Sequence, residues 1–166
     1  LPIRLSQERR LDRIVYLVKK HAQGNGGPVF LDQASMVEGE GEAGYQRATG
    51  ISNALRLLAV ETSLPIIVLV QVNRAASKDS KPLTANDLRD SGAIENDATA
   101  VLMIERAEDG THGSSIASLP ILVTKNRYGK LYPTPDDAPR VSWDYRTGRM
   151  DDIPQAAALR IAEGVW

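Results

Sequence analysis

The chain has 166 residues, of which 42% are hydrophobic and 25% charged, and a formal net charge of −1; this is ordinary globular composition with length enough for one domain and a core, and it lacks the bulk basic excess that advertises nucleic acid over a whole surface. There is no cysteine, which excludes disulfide staples and thiolate metal sites, and the two histidines, His21 and His112, are too few and too far apart to suggest a metal centre. The longest apolar run, Ile66 to Val70, is too short to span a bilayer and no signal peptide is visible, so a cytoplasmic protein with no membrane partner is expected.

In chain order, Ser6 is placed to cap a helix over Gln7 to His21, in which Leu11, Ile14, Val15 and Val18 recur at helical spacing. The breaker cluster Gly24 to Pro28 ends it, and Val29-Phe30-Leu31-Asp32 reads as a short buried strand closing on a carboxylate. A glycine-rich loop, Glu38 to Gly44, precedes a second helix from Tyr45 to Ser63. Pro65 then opens the strand Ile66 to Val70, which ends at Gln71. Asn73 to Asn86 reads as a long exposed loop carrying Arg74, Lys78 and Lys81. The remaining pattern predicts a short helix within Asp87 to Asp97, strands at Ala100 to Ile104 and Ile116 to Thr124, and a glycine-containing turn at Ala107 to Ser115 between them. An edge strand is expected at Val141 to Tyr145 and a weak helix at Ile153 to Glu163. Apolar strands alternating with helices imply an α/β fold with a mainly parallel sheet covered on both faces. Residues 1–150 are taken as the domain and 151–166 as a tail, helical if folded.

Ligands of open α/β sheets gather beyond the carboxyl ends of the strands. The polar residues there are Asp32, Gln71 and the pair in 121-ILVTKNRYGK-130, where Lys125 and Arg127 stand two apart and so share a side of the strand. Asp32 suits a hydrated Mg²⁺, a hard ion that keeps much of its water. Gln71 is an amide able to orient a water, touch a phosphate oxygen or cap a turn. Locally, each of these is equally readable as an ordinary solvated strand end.

Their order alters the reading. Residues 29-VFLD-32, 71-QVNR-74, 88-LRDSGAIENDA-98 and 125-KNRYG-129 resemble, in sequence, the later motifs of replicative DNA helicases of the DnaB type, over about residues 3 to 145. The most specific part, 87-DLRDSGAIENDATAVLMIER-106, is similar to the family's Leu-Arg-Glu-Ser-Gly-Ser-Ile-Glu-Gln-Asp-Ala-Asp segment and the apolar strand after it. The resemblance implies a RecA-like three-layer αβα ATPase fold, a ring hexamer, ATP and Mg²⁺ as cofactors, single-stranded DNA in a central channel, and a helicase loader or primase as further partners. It makes Asp32 the carboxylate of the second nucleotide motif, positioning Mg²⁺, and Gln71 the sensor of the γ-phosphate. Arg89, Asp90 and Gly92 fall where the family contacts DNA phosphates, with Arg74, Lys78 and Lys81 as further candidates. Lys125 and Arg127 fall on the Lys-x-Arg pair that reaches, in trans, into the neighbouring subunit's nucleotide site.

The chain departs from the family with Gln33-Ala34-Ser35 for Tyr-Leu-Gln, Val72 for Leu, Asp90 for Glu, Thr99 for Asp and Tyr128 for Asn. No G-x-x-x-x-G-K-S/T loop occurs in the sequence, nor a counterpart of the catalytic glutamate, so an incomplete ATPase domain is expected, inactive on its own. Two other readings compete: a non-hydrolysing, helicase-like binding module that regulates or loads a ring, and a RecA-fold recombinase or clock-type ATPase, against which the Asp87 to Arg106 segment argues.

Overall fold

A computed structural model describes residues 3–24, 26–39, 44–72, 92–104 and 116–153. These fall into two compact units, the first built from the elements before residue 73 together with a short helix at 92–97, the second from the strands after residue 99.

In the first unit, α1 spans Leu11–Gln23, β1 Val29–Leu31, α2 Tyr45–Thr62, β2 Ile66–Val68 and α3 Gly92–Asp97, with a 3-10 turn at Ala34–Met36. The helix predicted from Gln7 starts four residues later because the backbone before it is committed elsewhere. The Leu11 amide donates to the Glu38 carbonyl at 2.9 Å and the Glu38 amide to the Arg9 carbonyl at 2.8 Å, while Ser6 Oγ accepts the Glu8 amide at 3.2 Å. Arg10 and Asp12 pair at 2.9 Å in the first turn, where negative charge suits the helix dipole. The helical spacing nevertheless selects the buried face as expected: Ile14 and Val18 of α1 meet Val37 and Ile51, Leu55 and Leu58 of α2 in one core.

Strands β1 and β2 pair in parallel, with Val29 opposite Ile66, Phe30 opposite Ile67 and Leu31 opposite Val68. Alternation along both strands turns Val29, Leu31, Ile66 and Val68 onto that core. The opposite face is not covered as the apolar run suggested, since Phe30 is 69% exposed. Helix α2 begins where Gly44 takes a φ of +99°, a left-handed backbone that glycine enters without strain.

The second unit is a four-stranded sheet, β3 (Ala100–Ile104), β4 (Ile116–Asn126), β5 (Arg140–Asp144) and β6 (Arg149–Ile153), in that order. All three pairings are antiparallel, so among the described residues β1 and β2 form the parallel strand pair, beside an isolated parallel bridge between Arg10 and Glu38. Chain length explains part of the difference: β5 and β6 are joined by residues 145–148, and so short a connection permits only an antiparallel return. Asp144 builds that turn, its carboxylate accepting the Arg146 amide at 2.9 Å and the Thr147 hydroxyl at 2.6 Å, and Gly148 supplies a φ of +69°. The inward residues Val101, Met103, Ala117 and Leu122 are buried.

The predicted strands at 100–104 and 116–124 appear, the second two residues longer; the strand at 141–145 is shifted by one and is not the expected edge, because β5 lies between β4 and β6. Ile153, read as the start of a helix, is instead the last residue of β6, held opposite Arg140. The loop at 73–86, the turn at 107–115 and residues 154–166 lie outside the described residues. No described helix is long and apolar enough to cross a membrane.

Candidate functional site

The first half of the site grows from the parallel register. The Leu69 amide continues the ladder past β2 by donating to the Leu31 carbonyl at 3.0 Å, and the Leu69 carbonyl accepts the Ala34 amide at 3.0 Å. The chain leaving β1 is thereby stitched to the chain leaving β2. Asp32, the residue after β1, and Gln71, three residues past β2, emerge at the carboxyl ends of adjacent parallel strands, both exposed. The Asp32–Gln33 peptide bond is cis. Among the described residues no group of three or more His, Cys, Asp or Glu side chains is gathered for a metal ion. The Asp32 carboxylate is a hard oxygen donor of the kind that suits a hydrated Mg²⁺.

Lys125 and Arg127 belong to the second unit. Lys125 stands opposite Val101, and the ladder continues beyond the formal end of β4, because the Arg127 amide donates to the Thr99 carbonyl at 3.0 Å. The pairing jumps from Val101–Lys125 to Leu102–Val123, which leaves Thr124 as a bulge whose buried hydroxyl has no hydrogen-bond partner among the described residues. Lys125 is half-buried and Arg127 exposed, and both have polar interactions within the chain.

Beyond the pair the chain turns back sharply. Asn126 Oδ1 accepts the Tyr128 amide at 3.2 Å, and a Cβ on Gly129 would lie 2.6 Å from Asn126 Nδ2, so the turn closes tightly around this side chain. Val123 then exchanges both backbone hydrogen bonds with Tyr132, at 2.9 and 3.0 Å. Lys130 Nζ lies 4.7 Å over the Tyr132 ring, within cation–π range. The two cations thus sit on the arm of a pinned hairpin, and Asn126, which organises it, escaped sequence reasoning. Its signal was present in the Asn-x-x-Gly spacing of 126–129, a turn signature by residue type.

Of the residues expected at DNA, Gly92 opens α3, exposed, and among the described residues an added Cβ would meet only the Tyr45 ring, at 3.7 Å. Arg74, Lys78, Lys81, Arg89 and Asp90 lie outside the described residues. Sequence reasoning also missed how α3 is held. Ser52 of α2, only 7% exposed, donates to Asp97 Oδ2 at 2.8 Å with the Ala93 carbonyl a second acceptor at 3.3 Å. Arg56 Nε lies 3.4 Å from the other Asp97 oxygen.

The family model for the DnaB-like helicase C terminal domain matches residues 2–135. The "Probable plasmid replicative DNA helicase" of Chlamydia muridarum is 35% identical over 108 residues, covering 64% of this chain and 23% of that protein. The "Replicative DNA helicase DnaB" of Rickettsia conorii is 31% identical over 139 residues, covering 70% of this chain and 27% of that one. The chain thus spans about a quarter of the length of these relatives. A solved DnaB-like replicative helicase, described with its interactions with primase, superposes with a TM-score of 0.73 at 20% identity, covering 88% of this chain and 36% of its own. That likeness bears out the RecA-like α/β fold. With four fifths of its residues matched in sequence order, the chain belongs to the family of DnaB-like helicase C-terminal domains.

Proposed function

We propose that the chain is part of an ATP-driven replicative DNA helicase that hydrolyses ATP at the interfaces of a ring, hexameric as the resemblance implies, and moves along single-stranded DNA. The observation that supports this reading is the β1–β2 register, which puts Asp32 and Gln71 beyond the carboxyl ends of adjacent parallel strands, where α/β sheets bind ligands. Asp32 would hold hydrated Mg²⁺ beside the triphosphate, and the ion would supply charge neutralisation for the transferring phosphoryl group. Gln71, on the adjacent strand end, reports the state of the γ-phosphate to the chain that follows it. Lys125 and Arg127 serve a neighbouring subunit's nucleotide, where positive charge placed against the developing negative charge lowers the barrier. Gly92 and Arg89, with Asp90, and more weakly Arg74, Lys78 and Lys81, contact DNA phosphates, giving a sequence-independent and salt-sensitive grip. Primase, with which the superposing helicase interacts, is the proposed partner, with a loader as a further one. A bacterial or phage replication protein of this kind would work in the cytoplasm.

These 166 residues contain no phosphate loop, and on their own they are expected to turn over no ATP. Turnover by this chain above that of a Lys125→Ala/Arg127→Ala control would overturn that expectation. The full gene product tests the main reading: it should show ATP hydrolysis stimulated by single-stranded DNA. Nucleotide-independent binding with no hydrolysis favours the binding-module reading instead.

A further inference from the structure

We infer that Ser52 and Arg56 of α2, closing on Asp97 of α3, form a polar clamp that positions Gly92 for its phosphate contact; the inference rests on the DNA reading of Gly92 proposed above. Helix α3 has six residues, and isolated helices below about 12 residues are marginal in water. Its place is therefore set by what it packs against, and that is one stripe of α2. Tyr45, Ser52 and Arg56 stand at i, i+7 and i+11, which return to the same side of a helix. Tyr45 faces Gly92 at the start of α3, Ser52 reaches both Ala93 and Asp97, and Arg56 meets Asp97 at its end. The core residues Ile51, Leu55 and Leu58 occupy a separate stripe of the same helix.

Asp97 is an odd choice for the stability of α3 alone, since a carboxylate on the last residue of a helix opposes its dipole. The Ser52 hydroxyl and the Arg56 guanidinium offset that cost, so the acid makes sense as the far anchor of a clamp. Gripped at both ends, a helix of this length can neither slide nor rotate along α2. The backbone at Gly92 is thereby held in one place relative to α2, as a fixed donor for a phosphate oxygen requires. These are positioning residues, since none of the three is itself placed at the DNA.

The test measures binding of a fluorescent oligo-dT to the full gene product over a range of salt, with thermal unfolding of each variant alongside. Ser52→Ala and Asp97→Asn should each weaken binding by about fivefold while leaving the salt slope nearly unchanged, because the Gly92 N–H is an uncharged donor whose loss releases no counterion. The double variant should be no weaker than either single one, because both break the same clamp. Asp97 is half-buried and Asp97→Asn keeps its shape, so that variant remains informative if Ser52→Ala folds poorly. A clamp that is only structural lowers the unfolding midpoint and leaves affinity unchanged at temperatures below it, which overturns the inference. If Arg89→Ala leaves the slope unchanged, the DNA reading of this segment fails and takes the inference with it.

Discussion

Leu31 and Leu69 are joined by a 3.0 Å backbone hydrogen bond that extends the parallel ladder one residue beyond β2. This bond makes neighbours of the two chain ends that carry Asp32 and Gln71. The Asp32 side chain is exposed and supports no core packing, so Asp32→Asn should leave folding intact. In the full gene product it should lower Mg²⁺-dependent ATP turnover by about 10²–10³, the range for removing one preorganised electrostatic group. Steady-state hydrolysis over a Mg²⁺ titration, with circular dichroism as the folding control, checks this.

Gln71→Ala should behave differently. An amide that senses the γ-phosphate binds neither the base nor the metal, so nucleotide affinity should change little while the stimulation of hydrolysis by single-stranded DNA falls. Comparing nucleotide Kd with turnover, with and without oligo-dT, separates the two; an equal loss in both would assign Gln71 to binding alone.

Gly92→Ala offers a clean probe of the DNA contact. The added methyl meets the Tyr45 ring at 3.7 Å, an ordinary van der Waals distance, so the unfolding free energy should stay within about 0.5 kcal/mol of the parent as for a neutral surface change. Oligo-dT affinity should nonetheless drop, because the Cβ holds a phosphate away from the backbone. Anisotropy titrations at two salt concentrations read the effect.

Leu58 is 2% exposed at the centre of the α1–α2 core. Leu58→Ala should cost about 2–5 kcal/mol, the transfer loss plus the cavity left behind, measured as a shift in urea midpoint. Phe30→Ser, on the exposed face of the same sheet, should cost much less in this chain.

The starts of the two parallel strands were legible in the sequence because a breaker cluster and Pro65 precede the apolar runs: β1 begins at Val29 and β2 at Ile66 as expected, while β2 closes at Val68, two residues before the expected Val70. The spacing of Lys125 and Arg127 also held its meaning, since the ladder runs on to the Arg127 amide. What escaped was set by contacts distant in sequence. Nothing local to Gln7 to Arg10 reveals that Glu38 claims the backbone there. Nor does anything near Asp97 reveal that its partners lie on α2, 45 residues away at Ser52. The direction of β3 and β4 was missed because apolar strands were read as parallel, and β6 was not foreseen as a strand because the turn built on Asp144 and Gly148, which returns the chain antiparallel to β5, was overlooked.

The central claim is that one subunit's Asp32 and another's Arg127 complete a single ATP site, and a mixing experiment on the full gene product tests it most directly. Arg127→Ala alone should lower turnover by about 10³, as for loss of an arginine acting in trans, and Asp32→Asn alone should be similarly poor. When the two inactive variants are co-assembled, about a quarter of the interfaces carry both intact residues, and ATP turnover should rise well above the sum of the separate variants. Turnover that stays at that sum in rings shown to contain both variants would contradict the shared site.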